Sequence, residues 1–167
     1  MIDIENIRKT VVTGLSEYLN IPVIRNNQTS EPPKYPYCSY GIIKLGGENK
    51  GTYGEYPNNV YQKPIIQTWS FTVQSNDNAE AMELTIKAYD YFDLVGCKYL
   101  ADNNVIVQLV TDISERDNLI SIEYEYRHGF DVKFYIVNKI IADTNYIESV
   151  ELINLNKQEV KNEWNLH

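Results

Sequence analysis

Apolar residues recur along this chain with two periods, one of three to four residues and one of two. Ile4, Ile7, Val11, Leu15 and Tyr18 share one face of a helix. Asp3 can cap its start and Pro22 bars its continuation, which predicts a helix near residues 3–20. A short extended run follows at 21–24, then a polar, proline-containing loop at 25–36, then an apolar, β-prone strand at 37–45. Over residues 65–74 the period becomes two. Trp69, Phe71 and Val73 fall on one face, and Thr68, Ser70, Thr72 and Gln74 on the other, the mark of a half-buried strand. The cluster Asn76-Asp77-Asn78 ends it. Asp77 with Glu80 forms a capping-box pair and opens a second helix near 77–94. Met82, Thr85, Ile86, Tyr89 and Phe92 are expected on its buried side, with Gly96 as its stop.

Alternation returns at 105–113, with Val105, Val107, Leu109 and Ile113 on one face, and residues 114–118 read as a turn. Beyond it every even position from 120 to 136 except 128 is apolar or aromatic: Ile120, Ile122, Tyr124, Tyr126, Phe130, Val132, Phe134 and Ile136. One strand of that length would span roughly 55 Å at about 3.3 Å per residue. A domain of this size has a radius of gyration of only about 15 Å. The strand must therefore either bend at His128-Gly129 or project as a long ribbon. Val150, Leu152 and Leu155 suggest a short final strand, and Trp164 sits in a polar tail. The class expected is α+β, a mainly antiparallel sheet with two helices packed on one face. Its core would include Trp69, Phe71, Val107, Leu109 and Ile122. The 167 residues suit one domain of roughly 100–200 residues, here 1–140, with 141–167 as a C-terminal extension.

Residues 46–64, GGENKGTYGEYPNNVYQKP, show neither period. Loops of this length are usually functional or disordered. This one carries Tyr53, Tyr56 and Tyr61, rings that are costly to leave in water. Either they meet a partner, or the segment is a mobile hairpin tip. The chain holds 14 Tyr against four Phe and two Trp. Tyrosine suits both half-buried strand positions and wet interfaces, so this excess alone does not separate the two readings.

The net charge of −8 argues against a dedicated nucleic-acid binder, which needs cations to displace phosphate counterions, and against docking on anionic membranes. It suits a surface that DNA must pass without sticking. Cys38 and Cys97 are too few for a disulfide framework and lie in no Cys-x-x-Cys pair, so they read as buried free thiols in a reducing compartment. The opening residues, MIDIENIRKT, predict no secretory leader, and no apolar run approaches the ~20 residues of a membrane helix. With only His128 and His167, no metal set is spaced for zinc. No nucleophile elbow, P-loop or dinucleotide fingerprint occurs. Glu123 and Glu125 share a strand face as glycosidase pairs do, but Ser121, Arg127 and Lys133 share it too, as on any solvated sheet. No catalytic residue, cofactor or metal is expected, and the chain reads as a non-enzyme.

The stretch from about 35 to 140 resembles the bacteriophage neck and tail-terminator proteins of contractile-tail phages and phage-tail-like bacteriocins. The likeness lies in the order of YPYCSYGII, QTWSFTVQSND, the helix opening NAEAMELTIKAYDYF, then VIVQLVTDISERDN leading into IEYEYRHGFDVKFYI, which contains Arg-x-Gly-Phe-Asp-Val. The resemblance implies a virion or tail-like-particle protein made in the bacterial cytoplasm. It would form a ring, usually of six subunits, that caps the tail tube and meets sheath, collar or head-connector proteins, with DNA only in passage and no membrane. On that reading the long loop and the ribbon touch other chains. Tyr53, Glu55, Tyr56, Tyr61, Arg127, His128 and Asp131 are then the candidate subunit-interface residues. An alternative from another class is a small cytosolic protein-binding module, such as an immunity or adaptor protein, that turns an acidic sheet face to a basic partner.

Overall fold

A computed structural model describes residues 2–27, 29, 31–47, 54–56, 60–116 and 125–141, with the backbone alone at 54–56, 60–61 and 139–141. Helix α1 runs Ile4–Leu19. The Asp3 carboxylate accepts the Asn6 amide at 3.0 Å at its start, and at its end Asn20 turns left-handed at φ 57°, a conformation that asparagine tolerates. Strands β1 (Val23–Arg25), β2 (Tyr37–Lys44), β3 (Gly54–Tyr56) and β4 (Val60–Ser75) follow. Helix α2 (Asn78–Asp90) passes through a π turn at Tyr91–Val95 into α3 (Cys97–Asp102), and β5 (Val105–Val110), β6 (Ser114–Glu115) and β7 (Tyr126–Ile141) complete the order.

The strands form one sheet in the order β1-β2-β4-β7-β5, with β3 also pairing with β4 and β6 with β7. Among the described residues only the β1/β2 pair is parallel, and the other pairs are antiparallel. This is the expected α+β class. β4 and β7 pair without a register shift from Val60↔Ile141 to Ser75↔Tyr126. β7 thus runs beside β4 as one ribbon with no bulge at His128-Gly129, and residues 120–124 of the expected strand lie outside the described residues. Gly129 has another reason to be glycine: a Cβ there would lie 2.4 Å from the Phe71 carbonyl oxygen.

The alternation of β4 and β7 sets the core. Trp69, Phe71 and Val73 of β4 and Phe130, Val132, Phe134 and Ile136 of β7 are buried on one face, where Ile7, Val11, Leu15 and Leu19 of α1 and Phe92 of the π turn join them. Both helices thus cover the same side of the sheet. Phe71 and Phe92 lie 4.6 Å apart between ring centres, and Trp69 meets Phe134 edge-on at 5.6 Å, geometries that aromatic rings favour. Gly14 gives α1 its close approach, since a Cβ there would stand 2.2 Å from the Tyr91 hydroxyl oxygen.

Four expectations need correction. Leu109 is 49% exposed, because β5 takes up an extra residue between Val107, opposite Phe134, and Leu109, opposite Lys133. Such a bulge inverts the alternation, so half-buried Val110 takes the inward place opposite Val132. Val107 packs half-buried at the edge of the core, and Ile113 lies past the end of β5 and is exposed. On α2, Met82 and Ile86 face outward; the buried positions are Ala81, Thr85 and Ala88. Small side chains bring the helix down onto a sheet face already filled by phenylalanines, and the wide π turn then directs both Tyr91 and Phe92 inward. Gly96 does not stop the helix. It has ordinary helical torsions and is glycine because a Cβ would sit 2.5 Å from the Tyr91 ring; left-handed Asn104, at φ 63°, follows the actual end. Finally, residues 46–64 are not without strands. Gly54–Tyr56 is β3, and β4 begins at Val60 and runs through Pro64. β3 ends opposite Gln62 and β2 opposite Thr68, so Pro64 lies where that side of β4 has no described partner and its missing N–H breaks no ladder.

Candidate assembly interface

The predicted interface residues divide between the two ends of the β4–β7 ribbon. At one end β4 and β7 continue beyond the buried stretch, and β3 widens them into a three-stranded arm: Glu55 pairs with Tyr61, Tyr56 with Val60, and Tyr61 in turn with Ile140. Tyr53, like Ile122 and the expected strand holding Val150, Leu152 and Leu155, lies outside the described residues. At the other end are Arg127, His128 and Asp131, opposite Gln74, Val73 and Ser70. Tyr61 and Gln74 are thirteen residues apart on β4, roughly 40 Å at about 3.3 Å per residue. No single small contact can therefore use both groups.

Alternation divides the second group again. His128 points to the helix side, where its Nε2 lies 2.9 Å from the Asn78 amide oxygen. Arg127 and Asp131 point to the outer face. Asp131 accepts from Arg116 at 2.9 Å, and the same guanidinium bonds to the hydroxyls of Ser70 and Thr72. Arg127 pairs with the Glu125 carboxylate. The residue pattern alone puts Arg116 in a turn. Only the β6–β7 pairing, Ser114↔Gly129 and Glu115↔His128, lays it across the sheet. The capping box at α2 is relayed as well: Asp77 accepts the amides of Ala79 and Glu80, while the Glu80 carboxylate takes the Ser75 hydroxyl.

Neither thiol is activated. Cys38 is fully buried, and burial pushes its thiol from 9.0 up to about 12. Cys97, which was expected to be buried, is only half-buried. It donates to the Phe92 carbonyl at 3.0 Å and is also shifted upward, first by burial and then by Asp93. Among the described residues no three His, Cys, Asp or Glu side chains are grouped to hold a metal ion. No described helix is long and apolar enough to cross a membrane.

The buried ionisable groups predict an alkaline limit. Tyr91 is raised from 10.0 to about 12, mainly by burial, as Cys38 is from 9.0. Folding disfavours the ionised form of both groups, so their contribution to stability is complete below the unfolded values. It declines from about pH 9 and is lost as pH rises toward 12. The urea midpoint should fall between pH 8 and pH 11, and Cys38→Ser should remove the part of that fall that begins near pH 9. A midpoint that is flat to pH 11 would contradict the burial of both groups.

An aromatic core under one helical layer, a ribbon that overreaches it and a polar outer sheet face describe a small α+β structural subunit. The chain belongs to the phage neck terminator protein family, whose model matches residues 9–162. It is therefore a structural protein of the phage neck and a component of the virion. That matched stretch begins before residue 35 and continues past residue 140, beyond the segments that first suggested the resemblance. A search among curated proteins finds no match.

Proposed function

We propose that this subunit closes into a ring that ends the tail tube and joins it to the collar or head connector. 

Six copies are the expected number, in a contractile-tail phage or a phage-tail-like particle. The observation that supports this reading is the β3–β4–β7 arm. β4 and β7 stay paired through Val60↔Ile141, about 16 Å past the core edge at roughly 3.3 Å per residue. An arm of paired strands that reaches beyond its own core gives a neighbour both backbone edges and side chains to meet, and head-to-tail contacts whose rotation closes make rings. Residues 1–140 would form the ring domain and 141–167 an extension from it. The net charge of −8 would let DNA cross the ring without sticking. Tube, sheath and collar proteins are the expected partners.

Negative-stain microscopy and native mass spectrometry of the purified chain, alone and with its tail-tube protein, test the ring. Closed rings of six should appear, at the latest when the tube is added. A chain that stays monomeric under both conditions would refute ring closure and leave the family assignment untouched.

A further inference from the structure

We propose that a groove on the outer face of the sheet is a docking site for an acidic, extended segment of a partner protein. The surface is distinct from the arm, and the inference stands whether or not the chain forms rings. The floor of the groove is Ser39 of β2 with Thr72 and Gln74 of β4. One wall is the end of β1 and the segment after it, with Arg25 and Asn27, and Arg116 and Arg127 stand on the other side; the cavity is about 430 Å³. It adjoins a second hollow of about 820 Å³ that shares Arg25 and Asn27 and reaches Ile43 and Ser70, so together they make a trough suited to an extended chain.

Two independent features define what fits. The first is charge. The whole sequence has four arginines and a net charge of −8, yet Arg25, Arg116 and Arg127 all line this groove. Asp131 with the Ser70 and Thr72 hydroxyls holds Arg116, and Glu125 holds Arg127, which fixes both guanidinium groups at the groove's edge. Arg25 makes no ion pair with any described residue, so the described lining residues and their ion-pair partners leave one positive charge over. The second feature is an unpaired acceptor. Gln74 is only 7% exposed. Its Nε2 donates to the Ser39 hydroxyl at 2.8 Å, but its Oε1 has no hydrogen-bond partner among the described residues. A buried acceptor left unpaired is costly, and a ligand N–H would satisfy it. An extended acidic peptide offers carboxylates and backbone N–H groups together. A phosphodiester backbone offers charge but no donor, and the protein's net charge repels it.

The test is an amide NMR titration of the ¹⁵N-labelled chain at low salt. The probe is an acetylated, amidated peptide of alternating glutamate and serine. A lysine–serine peptide and a short oligothymidylate serve as comparisons. The glutamate peptide should give saturable shifts centred on Arg25, Asn27, Ser39, Thr72 and Gln74. Arg25→Glu, at an exposed position, should weaken binding about tenfold, as expected for the loss of one charge-assisted contact, and leave distant resonances in place. Gln74→Leu should weaken it several-fold if the fold is retained. Absence of saturable shifts, equal shifts with the lysine peptide, or tighter binding of the oligothymidylate would each overturn the proposal.

Discussion

Replacing Trp69 with Ala should destabilise the protein by about 3–5 kcal/mol, the usual cost of removing a large aromatic side chain from a packed core. Trp69 is fully buried. It stacks on Tyr40 at 5.5 Å and 16° and meets Phe134 edge-on, so several rings would lose a neighbour at once. The indole N–H also donates to the Gln67 side-chain oxygen at 3.0 Å, and Gln67 is itself fully buried, its Nε2 without a partner among the described residues. Truncation would leave that amide with neither bond, which adds about 1–3 kcal/mol. Domains of this size are stable by only about 5–15 kcal/mol, so the variant should be partly unfolded near physiological temperature. Trp69→Phe isolates the lost hydrogen bond and should cost less. Urea denaturation monitored by circular dichroism measures both. A loss below about 1 kcal/mol for the alanine variant would contradict the packing described here.

Deleting residues 48–59 and bridging the gap with a Gly-Ser linker should abolish assembly while sparing the free subunit. The deletion removes β3 and keeps all of β4. No described residue from 46 to 64 belongs to the buried core cluster, so the melting temperature should change by no more than a few degrees. Gly46 lies beside Ile65, so the linker must cover the five residues back to Val60, about 17 Å at roughly 3.3 Å per residue. Ring formation, or incorporation into particles, should then fail, because the arm loses its outer strand and the tyrosine-bearing loop. Normal assembly without the segment would place the interface elsewhere. An unfolded subunit would show that the segment supports the core.

Much of this was legible in the sequence because its signals are local. Asp3 and Asp77 cap helices through amides two or three residues away, and the alternation in β4 and β7 follows directly from the pleat. The α+β class, the buried Trp69 and Phe71 and the family resemblance all followed from such patterns. Other features depended on which elements meet. Leu109 changed faces because of a bulge that its strand's partner permits. Met82 and Ile86 lost the inward place to Ala81, Thr85 and Ala88, since the space under α2 was already occupied by rings from distant strands. Pro64 could sit within β4 because β2 and β3 end on either side of it. Arg25, Arg116 and Arg127 share a groove although the first is far from the others in the chain. Periodicity says which side of an element is apolar. Only tertiary packing decides how much room lies against that side, and which remote charges stand together on the other.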